Sequence, residues 1–302
     1  MPMRSLILAA ALVVSAAFAS SAHAAPNVLV SIKPLHSIVA AVMENAGTPE
    51  LLLGGAASPH SYALKPSDAE KLARSEVIFW VGPQLENFLE RPLANLAPRA
   101  RIIALAGAQG VRLLPARRGG AWDADPDEGE SGTDGHIWLD PDNGIAIARA
   151  AAAALGAADP PHVRLYAANA EAFAQRVKQL DAGLARRLAP VRARPYIVFH
   201  DAYHYFENHY GLKPVGSVTV ASDRPAGTRR IEQIHARIKG AQVACVFSTP
   251  QFSPRLIAAL TEGTAARTAS LDDLGANIAP GPRAYETLLS EIAGTLVSCL
   301  DR

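Results

Sequence analysis

Among the nine histidines of this 302-residue chain, three stand in surroundings unlike the rest. His60 lies in Ser58-Pro59-His60-Ser61-Tyr62, directly after an aliphatic run at Leu51 and a Gly54-Gly55 turn. His136 follows an acidic stretch and opens Ile137-Trp138-Leu139-Asp140-Pro141. His200 closes the run Tyr196 to Phe199, with Asp201 beside it. A neutral imidazole is the commonest metal ligand in proteins, so three that met could hold a divalent cation. Their separations of 76 and 64 residues match no compact zinc motif. The chemistry therefore depends on a fold that brings them together. His36, His162 and His235 lie in helical patterns and read as surface or core residues. His204 and His209 follow His200, and His200 and His204 are spaced so that one helix face could present both.

The elements that would position these residues begin after a leader. Arg4, the apolar run Leu6 to Phe18 and Ala22-His23-Ala24 have the layout of a secretory signal, with cleavage expected after Ala24. No later segment is apolar and long enough to span a bilayer, and no cysteine at the cleavage point offers a lipid anchor. A free periplasmic protein is expected. The 29 basic and 28 acidic residues nearly balance, which argues against nucleic acid or an anionic membrane as partner. Two cysteines, Cys245 and Cys299, read as a disulfide in an exported chain. The alternative is a pair of thiolate ligands, disfavoured by an oxidising compartment.

Short aliphatic runs alternate with helical patterns. Strands are expected at 27–32, 50–53, 77–81 and 101–104, with helices at 35–44 and 67–74, the second opened by a capping box of Ser67 and Glu70. After Pro141 a helix is expected to about Leu155, then a long one from His162 to Arg187, read as a strut between two lobes. Alternation resumes with strands at 196–199, 215–220, 243–247 and 267–270 and helices at 202–210, 229–239, 254–263 and 284–299. This order predicts an α/β protein of two lobes, each a mostly parallel sheet flanked by helices, joined by one long rigid helix. The expected divisions are a signal at 1–24, an N-terminal lobe at 25–158 with an acidic loop at 115–135, the connecting helix at 159–190, and a C-terminal lobe at 191–302. In such sheets ligands bind beyond the carboxyl ends of the strands. His60 and His200 both stand at such ends.

The stretch from Leu113 to Asp134 breaks the alternation. It holds Arg117-Arg118-Gly119-Gly120 and then Asp123, Asp125, Asp127, Glu128, Glu130 and Asp134. Nothing in it can build a core, so a solvated surface loop is expected, with an anionic collar near a cation site as the sharper reading.

Ser58-Pro59-His60-Ser61-Tyr62 with Leu64-Lys65-Pro66-Ser67-Asp68 resembles the first ligand loop of the ZnuA-type periplasmic zinc-binding proteins, the metal-specific receptors of ABC importers. Trp80-Val81-Gly82-Pro83, Gly135 to Pro141, Phe199-His200-Asp201-Ala202-Tyr203, Thr249-Pro250-Gln251-Phe252 and Leu271-Asp272-Asp273-Leu274-Gly275 resemble further signatures of that family in the same order. The resemblance implies a metal cleft between two lobes, with His60, His136 and His200 as ligands and Asp272 as the fourth. Asp273 stands where a proline is common, which leaves open which aspartate reaches the metal. Pro59 stands where some zinc members carry a carboxylate. Cys245 and Cys299 stand where members carry a disulfide. The stretch before His136 departs from the family, being short and acidic where many members are histidine-rich.

Three imidazoles suit Zn²⁺, whereas manganese-type relatives resemble one another in a carboxylate at the third position. The expected function is capture of Zn²⁺ as transported cargo and its delivery, by a monomer, to an inner-membrane ABC permease. A manganese receptor is the alternative. An enzyme is not expected: three histidines and an open position could form a catalytic zinc, but Asp201 and Glu207 sit in no catalytic motif. Asp201 is expected instead to orient an imidazole.

Overall fold

The computed structural model describes residues 25–118, 122, 132–219, 228–250 and 254–301. The expected signal lies outside the described residues, as does most of the acidic loop and part of the Thr249-to-Phe252 motif.

The first lobe opens with strand β1 (Val28–Val30) and helix α1 (Lys33–Val42). Strand β2 (Glu50–Leu51), helix α2 (Pro66–Arg74) and strand β3 (Val77–Trp80) follow, then helix α3 (Glu90–Leu96) and strand β4 (Arg101–Ala104). The four strands pair in parallel in the order β2-β1-β3-β4. Strands β1 and β3 are buried along their whole length, as an aliphatic run without polar alternation requires when helices cover both faces.

Helix α2 corrects one expectation. It begins at Pro66, not Ser67, and its capping carboxylate is Asp68, whose Oδ2 accepts the Lys65 backbone N–H at 2.9 Å. Pro66 at the first helical position sets this register, because its missing N–H needs no partner there.

Helix α4 (Pro141–Ala158) starts on Asp140, which accepts the Asp142 N–H. Its alanine-rich face packs on helix α5 (Val163–Leu188), the long strut of 26 residues. The second lobe comprises strand β5 (Tyr196–His200), helix α6 (His204–Tyr210), strand β6 (Pro214–Thr219), helix α7 (Thr228–Gly240) and strand β7 (Cys245–Ser248). Helix α8 (Pro254–Thr261), strand β8 (Arg267–Ser270) and helix α9 (Ala284–Leu300) complete it. Its sheet repeats the first in kind, four parallel strands in the order β6-β5-β7-β8.

The lobes share one core. Helix α9 lies against both α5 and α1, and a single buried apolar cluster runs from β1 and α1 through α4 and α5 to Tyr203, Phe247 and Leu296. Gly144 of α4 permits the closest approach, since a Cβ there would stand 2.3 Å from the Tyr285 hydroxyl of α9. A smaller cluster, with Ile197, Val246 and Leu260, fills the other face of the second sheet. A disulfide joins Cys245, the first residue of β7, to Cys299 on α9. Among the described residues no helix is long and apolar enough to cross a membrane.

Candidate metal centre

The structure brings His60, His136 and His200 together, all buried, in the crevice where the carboxyl ends of both sheets face each other. His60 sits in the loop after β2, His136 immediately before the single helical turn that leads into α4, and His200 at the last position of β5. His136 Nε2 lies 3.4 Å from His60 Nε2 and 3.3 Å from His200 Nε2. Nitrogens bound to one zinc at about 2.0–2.1 Å with tetrahedral angles stand about 3.3–3.4 Å apart. Both separations therefore match the edge of such a tetrahedron.

Asp134 organises the centre. Its Oδ1 accepts both the His136 backbone N–H at 2.9 Å and the ring Nδ1–H at 2.8 Å, and its Oδ2 lies 3.5 Å from His204 Nδ1. This fixes the His136 ring with Nε2 inward. Asp134 is buried, yet the His136 charge holds its carboxyl well below the usual range. Burial alone would lower His136, but the Asp134 charge and hydrogen bond outweigh it, with Asp273 and Asp201 adding to them, and raise its pKa to about 9. His60 moves the other way, to about 3, through burial and then the charge on His136. His200 is lowered well below its ordinary value by burial and by the other two imidazoles. Asp134 thus favours the protonated form of His136, while burial disfavours that of His60 and His200.

Two expectations about neighbouring residues fail. His204 does not share a helix face with His200, because His200 ends the strand and His204 begins α6. Asp201 does not orient an imidazole. Successive residues at a strand end point to opposite sides, and Asp201 turns away from His200 to bind Arg117.

The aspartates after β8 divide their work. Asp272 Oδ1 accepts the N–H groups of Leu274 and Gly275 at 3.0 and 2.9 Å, and Oδ2 that of Ala276 at 2.6 Å. Asp272 thus shapes the turn that follows it. Lys33, at the start of α1, holds the same turn from the other lobe through the carbonyls of Gly275, Ala276 and Ile278. Asp273 is buried, and burial raises its pKa to about 6 despite the opposing charge of His136. Its carbonyl accepts the Trp138 indole N–H at 2.8 Å, and the Tyr203 hydroxyl donates to the Leu271 carbonyl at 2.8 Å.

A second group of potential ligands, Asp140, Asp142 and His209, has a different character. His209 lies 3.2 Å from Asp140 through Nδ1 and 2.9 Å from Asp181 through Nε2, so both ring nitrogens are engaged. Burial lowers its pKa, but the two carboxylates raise it to about 9 overall. It is an imidazolium clasp linking α4, α5 and α6 rather than a ligand.

Asp134 was visible in the sequence only as the end of an acidic run. The signal for its role is its spacing of two from His136, which suits an aspartate bonded to the backbone two residues on.

The family model for the zinc-uptake complex component A, periplasmic, matches residues 28–299. The high-affinity zinc uptake system protein ZnuA of Brucella suis biovar 1 is 41% identical, with 99% of each chain covered. That of Yersinia pestis is 37% identical over 99% of this chain and 98% of its own. A crystal structure of a ZnuA 138–173 deletion mutant with zinc bound superposes with a TM-score of 0.78 at 25% identity, covering 91% of this chain and 98% of that one. Family model, relatives and fold agree over nearly the whole chain, which belongs to the ZnuA family of periplasmic zinc-uptake components.

Proposed function

We propose that the protein is a zinc receptor that binds Zn²⁺ as cargo in the crevice between its lobes and delivers it to an ABC permease of the inner membrane. It works in the periplasm, as a monomer. The observation that carries the reading is the convergence of three buried imidazoles, with His136 Nε2 standing at the edge length of a zinc tetrahedron from both of the others. His60, His136 and His200 supply three ligands, and a carboxylate after β8 the fourth. Asp273 fits that place better than the expected Asp272, because Asp272 spends both oxygens on backbone N–H groups while Asp273 is buried with its charge acting on His136.

A donor set led by three imidazoles favours zinc over manganese, which prefers oxygen-rich sites. The nearby carboxylates do not provide a general base for hydrolysis. Asp134 is tied to His136, Asp201 to Arg117, and Glu207 to Arg117 and Tyr196.

Calorimetric titration of the chelator-treated mature protein near pH 7 tests the reading. Binding of one Zn²⁺, lost or severely weakened in His136→Ala, is expected. Absence of zinc binding in the wild type overturns the function, and undiminished binding in the variant overturns the site.

A further inference from the structure

The strongest charge cluster in the crevice outside the imidazoles is built on Arg117. Its Nε donates to Asp201 Oδ2 at 3.0 Å, and its Nη2 donates to Asp201 Oδ1 and, at 2.6 Å, to Glu207 Oε2. Tyr196 donates to the other Glu207 oxygen at 2.8 Å. The Trp122 indole covers the guanidinium face at 3.8 Å. The cluster is largely buried, with side-chain exposures of 16% for Arg117, 18% for Asp201 and 3% for Glu207.

Its connections matter more than its burial. Arg117 sits on a segment paired with the one that runs into the second histidine. Pro115 bridges Thr133, Ala116 N–H donates to the Gly132 carbonyl at 2.8 Å, and Asp134 N–H donates to the Leu114 carbonyl at 3.0 Å. Asp134 in turn holds His136. On the other side, Asp201 follows His200 directly and Glu207 lies on α6. One guanidinium therefore fastens the segment bearing the second imidazole to the strand end bearing the third. The Tyr205 hydroxyl adds a neutral tie, accepting from Leu114 N–H and donating to the Asp134 carbonyl, both at 2.9 Å.

We propose that Arg117 is an interlobe latch that sets the rate of zinc release without touching the metal. This rests on the zinc-receptor reading above. A planar guanidinium forks across both oxygens of Asp201 and still reaches Glu207, which an ammonium cannot do. Opening the crevice on this side requires leaving the buried Glu207 and the partly buried Asp201 without their cation. Truncating one member of a buried charge pair acts chiefly on dissociation, so the latch appears in the off-rate.

Stopped-flow transfer of zinc from the loaded mature protein to excess chromogenic chelator reads that rate. Arg117→Ala is expected to release zinc about ten-fold faster or more, with little change in association. Arg117→Lys should fall between the variant and the wild type. The visible absorption of the Co²⁺-substituted protein should stay unchanged in both, showing an intact ligand set. Glu207→Gln, which preserves shape, should also accelerate release and serves if Arg117→Ala does not fold. An unchanged off-rate in Arg117→Lys and Glu207→Gln overturns the latch while leaving the zinc reading intact. A shifted Co²⁺ spectrum overturns it too, because Arg117 would then act through the ligands. A wild type that binds no zinc overturns both.

Discussion

At the scale of single residues, the centre turns on one carboxylate. Asp134 keeps a proton on His136 while burial strips protons from His60 and His200. With His136 as the proposed ligand, zinc displaces its proton, so binding at pH 7.5 should release about one proton per metal. Calorimetry in two buffers of different ionisation enthalpy measures it. Asp134→Asn should bring that release close to zero and weaken zinc binding by about 10- to 100-fold, the usual cost of losing a carboxylate behind a ligating histidine. Chelator competition checks the affinity. The signs for stability of the zinc-free protein are opposite. His136, raised to about 9, contributes stability that is present below the unfolded-state pKa near 6.5 and lost as pH rises through about 9. His60, lowered to about 3, makes the fold lose stability as pH falls from about 6.5 towards 3. Unfolding midpoints measured across that acid range should therefore decline. The imidazoles were legible as candidates because they stand at loop and strand ends, but spacing could not show that they meet. Arg117 was hidden because its partners are set by pairing across a crevice, which no local pattern encodes, whereas Asp134 left only its spacing of two from His136 as a signal.

At the scale of elements, β-branched runs and helical periodicity located the strands and the long helices within a few residues, since the buried faces impose those periods. Helix α3 went unanticipated because seven residues including Pro92 carry too little periodicity to register. In the turn after β8, Asp272 shapes the backbone and the proposed metal chemistry falls to the adjacent Asp273. Asp272→Ala should cost about 1–3 kcal/mol of stability, because three backbone N–H groups lose their acceptor. Asp273→Asn should leave thermal stability nearly unchanged but weaken zinc binding. Measuring melting temperature and zinc affinity on both variants separates the roles, and a larger affinity loss in Asp272→Asn than in Asp273→Asn would return the fourth ligand to Asp272.

At the scale of the whole molecule, the disulfide acts at the opposite end of the second sheet from the chemistry. Cys245 begins β7, whereas the metal centre lies past the carboxyl ends of the strands. Replacing both cysteines by serine should lower the unfolding free energy by on the order of 4 kcal/mol, with zinc affinity unchanged; denaturant titration and chelator competition read the two. The shared core has a consequence for delivery. Swinging the lobes apart would pull Tyr285 from Trp138 and α9 from α1, and each buried aromatic exposes on the order of 150–250 Å² when stripped of its cover. Scattering curves of zinc-loaded and zinc-free protein should accordingly superpose closely. Such a receptor resembles a vice rather than a hinged trap. Its grip loosens by slackening two small segments at the mouth, one held by Lys33 and one by Arg117, so the force that frees the cargo must be applied there by whatever docks over it.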